Sequence, residues 1–234
     1  MKTRFAIVAA IAAFAGSAHA DILWTFNSLP SDNASGTGTL SAEIGTGTAS
    51  VFGGTTSTFA SGNASGGSTD PDATNNDSGW NLTTFAAQGA GSGARGAQFD
   101  TNTLGLSNIV LSFDVRHSNT SSRFIQVSYD LGDGNGYQTA GLAADGIFEA
   151  NGGDVWNNNR TLSLPASASN LSSISLRIAP VFAPSTTTYL PATTTSTYGT
   201  SGTLRFDMVG IVPTPGSLAL LGMGFLVAGR RRTK

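Results

Sequence analysis

The sequence predicts an all-β protein, an antiparallel β-sandwich, on three observations. Charged residues make up only 11% of the 234-residue chain, while Gly, Ser, Thr, Asn and Ala dominate, which suits neither a coiled coil nor a charge-driven disordered tail. No stretch between Asp21 and Val212 sustains a helical period, whereas alternation of apolar and polar residues recurs. Clusters of Gly, Asn and Ser separate the alternating runs, as turns separate short strands.

The runs can be taken in order. Ile22-Leu23-Trp24-Thr25-Phe26 is the first strand. From Ser31 to Gly79 the chain is so rich in Gly, Thr and Ser that it reads either as weak strands or as a long mobile loop. Ile109 to Arg116 then places Ile109, Leu111, Phe113 and Val115 on one face. Phe124 to Tyr129 is its neighbour across a polar turn, and Leu131-Gly132-Asp133-Gly134-Asn135-Gly136 is turn chemistry leading to Tyr137. Ile174 to Ile178 and Leu204 to Ile211 are two further strands. Roughly eight to twelve strands over the 21–211 region suffice for one core and one domain. A jelly-roll-like topology, in which the first and last strands pair, places Trp24 and Phe26 beside Phe206 and Val209.

The two ends read differently. Lys2 and Arg4 precede an apolar run from Phe5 to Gly16, and Ala18-His19-Ala20 closes it. A charged start, a short apolar run and a small-x-small site are the three parts of a secretory signal peptide over 1–20, cleaved after Ala20. The run is shorter than the roughly 20 residues a membrane-spanning helix needs. At the other end, 212–234, Val212-Pro213-Thr214-Pro215-Gly216 precedes the apolar segment Ser217 to Gly229, which ends in Arg230-Arg231-Arg232-Thr233-Lys234. The prolines mark the start of a short hydrophobic helix, and the basic cluster stays cytoplasmic, leaving the preceding domain outside.

This tripartite tail resembles the PEP-CTERM sorting signal, with Thr214 where that family usually has Glu. The resemblance implies export by the Sec machinery, cleavage by signal peptidase, a transient stay in the inner membrane, and processing by an exosortase-type enzyme. The destination it implies is the cell surface or an exopolysaccharide matrix. The late region is also similar to a β-sandwich domain of PEP-CTERM and other secreted bacterial proteins, through Trp156, Leu176-Arg177-Ile178, Phe182-Ala183-Pro184, Tyr189 and Ser201 to Val209. That similarity implies a fold and a surface setting, and no activity.

Charge and composition exclude several functions. All 14 acidic residues lie between Asp21 and Asp207, where six arginines leave a net charge of −8, so a basic face for nucleic acid is not expected. Cysteine is absent, and His117 is the single histidine after Ala20, which removes thiol nucleophiles and Cys/His zinc sites. His117 reads as an exposed residue at a strand end, with no Gly-x-Ser-x-Gly elbow to build a triad around it. Glu43 and Glu149 lack a supporting motif for glycoside hydrolysis. No cofactor is expected beyond a structural Ca2+, for which Asp70 and Asp72, with Asn75, Asn76 and Asp77, and then Asp130 and Asp133, with Asn135, gather oxygen ligands. The same residue types also make ordinary turns. Trp80, Trp156, Tyr189, Tyr137 and Tyr198 are candidates for stacking on sugars, against the commoner role of core or loop anchors.

The expected function is that of a non-enzymatic surface or matrix protein associated with exopolysaccharide. The alternative is a carbohydrate-binding module for a defined glycan, and more distantly a secreted glycan-active enzyme.

Overall fold

A computed structural model of the chain describes residues 21–72 and 76–213. The signal-peptide stretch with Ala18 and Ala20, Asn75, and the tail from Thr214 onward, with Pro215, Gly216, Arg230, Arg231 and Arg232, lie outside the described residues.

The strands are β1 (Ile22–Trp24), β2 (Gly47–Phe52), β3 (Thr56–Ser61), β4 (Ser78–Thr83), β5 (Gly96–Thr101), β6 (Ile109–His117), β7 (Phe124–Asp130), β8 (Ile147–Glu149), β9 (Val155–Ser163), β10 (Ile174–Pro180) and β11 (Leu204–Pro213). They form two antiparallel sheets. One is six-stranded, ordered β3-β4-β11-β6-β9 with β1 also on β11, and the other is five-stranded, ordered β2-β5-β10-β7-β8. The first and last strands pair, Trp24 opposite Val209 and Ile22 opposite Ile211. The Gly/Thr-rich region is not one loop, because it carries β2 and β3, paired to β5 and β4. β11 also runs two residues into the segment expected to begin the sorting signal, with Val212 opposite Val110 and Pro213 opposite Ile109.

Alternation explains the core. In β6, Ile109, Leu111, Phe113 and Val115 point inward, and in β10 Ile174, Leu176 and Ile178 do the same from the opposite sheet. Aromatic rings fill the space between the sheets. Phe99 meets Trp24 edge-on at 5.3 Å, Trp80 at 6.0 Å and Phe206 at 6.4 Å, and Phe26 stacks on Trp80 at 5.5 Å. Each such buried side chain contributes about 2–3 kcal/mol of hydrophobic stabilisation.

Trp80 is therefore core and closed to solvent, not a stacking platform. His117 continues the inward parity of β6 as its fifth position and is buried, which corrects the exposed reading. Its Nδ1 lies 2.8 Å from the Ser122 carbonyl and donates to it. Burial, outweighing that bond, pushes the imidazole down to about 4, so it is neutral at pH 7.

Tyr189 and Tyr198 form a second, smaller cluster. They stack on each other at 4.4 Å, with Phe182 edge-on to Tyr189 at 4.7 Å. The Tyr198 hydroxyl donates to Ala86 O at 2.7 Å and that of Tyr189 to Gly91 O at 2.9 Å. Both rings are buried anchors of the Thr186–Thr200 loop rather than sugar platforms. Among the described residues no helix is long and apolar enough to cross a membrane.

Candidate functional site

Two outer faces carry the polar chemistry. On the six-stranded sheet, residues 61–72, from the end of β3, form a strap over the outward side chains. Trp156 Nε1 donates to Ala64 O at 2.8 Å, Asn158 Nδ2 to Gly67 O at 3.1 Å, and Arg205 Nη1 to Ser61 O at 2.6 Å. This is why Trp156, on an outward position opposite Arg116, is nonetheless buried and unavailable for stacking.

Under the strap lie two kinds of buried carboxylate. Asp114 is fully hydrogen-bonded: Thr69 N and Oγ1 donate to Oδ2 at 2.6 and 2.7 Å, and Asn159 N to Oδ1 at 2.6 Å. Asp77, by contrast, is 0% exposed, and among the described residues neither carboxylate oxygen has an amide, alcohol or cationic donor, its neighbour being the Asp207 carboxyl. Asp207, also 0% exposed, accepts from Ser68 Oγ at 2.8 Å and from Met208 N at 2.8 Å. Asp70 is half-buried and accepts from Asn27 Nδ2 at 2.9 Å and Asp72 N at 2.8 Å.

One oxygen from each of Asp70, Asp77 and Asp207 lies within 4.8 Å of the others. Burial raises all three carboxyls, Asp77 to about 6 and Asp207 well above the usual range; the Asp70 charge adds to the effect at Asp77 and Asp207, and the Asp72 and Glu43 charges add to it at Asp70. Asp207 reaches the cluster because β11 bulges between Asp207 and Gly210, with Met208 at φ 46°. Gly62 packs directly against both buried carboxylates. A Cβ there would collide with Asp77 Oδ1 and stand 2.8 Å from Asp207 Oδ2, so the strap passes only with glycine.

The structure separates the four aspartates expected as calcium ligands. Asp70 clusters with Asp77 and Asp207, while Asp72 accepts from Asn27 Nδ2 at 3.1 Å and Asn76 Nδ2 at 2.8 Å. Asp130 and Asp133 cap turns instead, accepting from Gly132 N at 2.8 Å and Asn135 N at 3.0 Å. The Asn135 bonds hold the exposed Asp133 carboxyl below its ordinary value. An open cleft of about 370 Å³, lined in part by Thr25, Asn27, Glu43, Asp70 and Asp72, leads from solvent to the Asp70 edge of the cluster.

The five-stranded sheet presents its outer face in cross-strand rows. Ser50, Gln98, Arg177 and Ser128 form one, and Thr48, Asp100, Ser175 and Asp130 the next. The Arg177 guanidinium lies 3.7 Å from the Tyr137 ring centroid and 4.1 Å from that of Phe52, held between the two. Its Nε donates to Gln98 Oε1 at 2.9 Å, Gln98 Nε2 donates to both Asp100 oxygens at 3.0 Å, and Ser175 Oγ donates to Asp100 Oδ1. Burial raises the Tyr137 hydroxyl, opposed by a hydrogen bond with Ser175 and by the Arg177 charge. Both Nη groups of Arg177 are left without a hydrogen-bond acceptor among the described residues. Of the aromatic residues singled out in the sequence, Tyr137 is the one on this face. Arg177, Phe52, Gln98 and Asp100 were not singled out as site residues, although the parity of β10, β2 and β5 puts them outward.

No family profile matches the sequence, and comparison with curated proteins gives no match. Among solved structures, the chain is similar to the CBM22-1-CBM22-2 tandem domain of Paenibacillus barcinonensis Xyn10C, with TM-score 0.43, 14% identity, and coverage of 88% of this chain and 48% of that one. It thus spans about half of the tandem's length. It is also similar to the CBM22-1 xylan-binding domain of the same protein, with TM-score 0.40, 12% identity, and coverage of 86% and 100%. A putative sugar binding protein from Bacteroides thetaiotaomicron matches with TM-score 0.43 and 12% identity, over 71% of this chain and 87% of that one. Likeness at this level is one of fold alone.

Proposed function

We propose that the described domain is a non-catalytic, jelly-roll-like carbohydrate-binding sandwich that takes an uncharged, hydroxyl-rich glycan on the outer face of the five-stranded sheet. The observation that carries this reading is Arg177. Its guanidinium is oriented by two rings and by Gln98, yet its Nη donors are unspent. A preoriented planar fork suits paired sugar oxygens, and the neighbouring Asp100 and Asp130 carboxylates suit sugar hydroxyl donors. The net charge of −8 between Asp21 and Asp207 favours a neutral glycan over an anionic one.

Several features support a role without catalysis. His117 is buried and hydrogen-bonded, away from any nucleophile the sequence suggests. Glu43 accepts from Thr25 Oγ1 at 2.6 Å, and the exposed Glu149 lies 3.9 Å from Arg123. The terminal motifs of the sequence support delivery: export by the Sec machinery, processing at Pro213-Thr214-Pro215 by an exosortase-type enzyme, and residence in an exopolysaccharide at the cell surface.

The test is binding of the full chain to an array of neutral and anionic polysaccharides. Saturable binding to a neutral glycan, lost at least about tenfold in Arg177→Ala with thermal unfolding within a few degrees of the parent, is the expected result. Binding unchanged in both Arg177→Ala and Tyr137→Ala removes this face as the site, and uniformly null binding leaves the matrix-protein reading without a glycan. Mass spectrometry of the exported protein tests delivery, since an intact Arg-rich tail would contradict processing.

A further inference from the structure

We propose that Asp70, Asp77 and Asp207 hold one Ca2+ ion, which fastens the strap to the bulge of the last strand. Carboxylates clustered in a protein are common without a metal, so the decisive observation is the state of Asp77. It is 0% exposed, neither of its oxygens has an amide, alcohol or cationic donor among the described residues, the neighbouring group within hydrogen-bond reach being the acidic Asp207 carboxyl, and one of them points into the cluster. A buried carboxylate without donors costs several kcal/mol unless a cation compensates it. Asp114, opposite Asp207 on the neighbouring strand, shows what this protein does when it buries a carboxylate for structure alone: it surrounds it with three donors.

The surrounding cations do not serve Asp77. Arg205, which stands two positions before Asp207, spends Nη1 on the Ser61 carbonyl. The charges that bear on Asp77 are those of Asp70 and Asp72, both repulsive, and the one group that favours its ionised form is the neighbouring Asp207 carboxyl, itself an acid raised by burial. Three carboxylates within 4.8 Å span the separation of two oxygens on opposite sides of an ion at about 2.4 Å, the usual Ca2+–oxygen distance. An all-oxygen set without His or Cys favours a hard cation over zinc or copper. The cleft at Asp70 supplies both a route for the ion and room for water ligands. The ligands come from the strap, the residue just before β4 and the bulge in β11, so the ion joins segments that are 137 residues apart in sequence, from Asp70 to Asp207. The unfolded chain does not bring these carboxylates together, so binding favours the folded state by mass action.

The full chain, stripped with EDTA and exchanged into metal-free buffer, is titrated with CaCl2 by calorimetry and then unfolded thermally with and without the ion. One Ca2+ per chain and a rise in Tm of about 5–10 °C at saturation are expected, with a smaller response to MgCl2. Asp77→Asn should unfold no lower than the parent in EDTA, because it removes a repulsive charge, yet lose the calcium response. Asp133→Asn, in an exposed turn, should keep it. Should Asp77→Asn fail to fold, Asp70→Asn, half-buried at the cleft, is expected to weaken calcium binding at least about tenfold. The absence of both binding heat and a Tm shift at millimolar Ca2+ overturns the proposal, as does a full calcium response in Asp70→Asn, and a response to Mg2+ equal to that for Ca2+ overturns the choice of ion. None of these measurements involves a glycan, so their failure is separable from failure of the carbohydrate-binding reading.

Discussion

The two sheets turn unlike outer faces outward. On the six-stranded sheet a strap of small residues crosses the strands, and outward positions such as Trp156, Asp114 and Asp207 become buried. On the five-stranded sheet the outward rows stay half-exposed, and Gln98, Asp100, Ser175 and Arg177 bond laterally to one another. The difference shows how cover changes the chemistry of equivalent positions. An aspartate under the strap must find donors or a cation, because water is excluded. An aspartate on the open face remains solvated and is free to accept from a ligand. One face is thus suited to an ion and the other to a glycan.

The largest expected effect tests the satisfied carboxylate of the covered face. Asp114→Ala leaves Thr69 N and Asn159 N without their acceptor and should cost about 3–5 kcal/mol in urea unfolding. Asp77→Asn, measured in EDTA, should have the opposite sign, a gain of about 1 kcal/mol, although both residues are buried aspartates. Equal losses in the two variants would erase the distinction between them.

Acid probes the seam of the sandwich where β6 ends. His117 is held at about 4 when folded, below its ordinary 6.5. Its contribution is complete above 6.5 and is lost as pH falls from 6.5 towards 4, because the unfolded chain takes up the proton first. The loss amounts to about 3 kcal/mol. The loss should appear in the difference between parent and His117→Gln unfolding curves over this range, and a difference that does not change with pH would mean that the folded imidazole titrates at its ordinary value.

On the open face, Arg177→Lys should lower glycan affinity about tenfold, since an ammonium cannot replace a planar fork between two rings, with stability changed by less than about 1 kcal/mol. Arrays and denaturant curves on the same preparation check both halves of that statement. The smallest effect is expected for Trp156→Phe, which loses the bond to Ala64 O but keeps its apolar bulk. About 1 kcal/mol of stability should go, with glycan binding unchanged. A binding defect there would mean that the two faces are coupled.

Much of the fold was legible from parity alone. Ile109, Leu111, Phe113 and Val115 named an inward face, and the same parity extended to His117 would have predicted its burial. The exposed reading failed because it weighed residue type and strand-end position above register. The stacking candidates failed for another reason. Trp80, Trp156 and Tyr189 are large and amphipathic, and nothing local tells a covered ring from an open one. Only the strap over Trp156 and the loop over Tyr189 decide it. Clustering along the chain picked out Asp70, a member of the carboxylate cluster, but it could not reach Asp207, which lies at a bulge in the last strand.

By itself, then, the sequence determined an all-β chain with a single buried core and an acidic surface. These follow from period, composition and charge, which are local properties of the polymer. The tertiary structure decided which outward positions are covered, which carboxylates lack donors, and which arginine is held between two rings. Those depend on the crossing of segments far apart in sequence, where exclusion of water and the pairing of buried charge are settled by neighbours that no local pattern names.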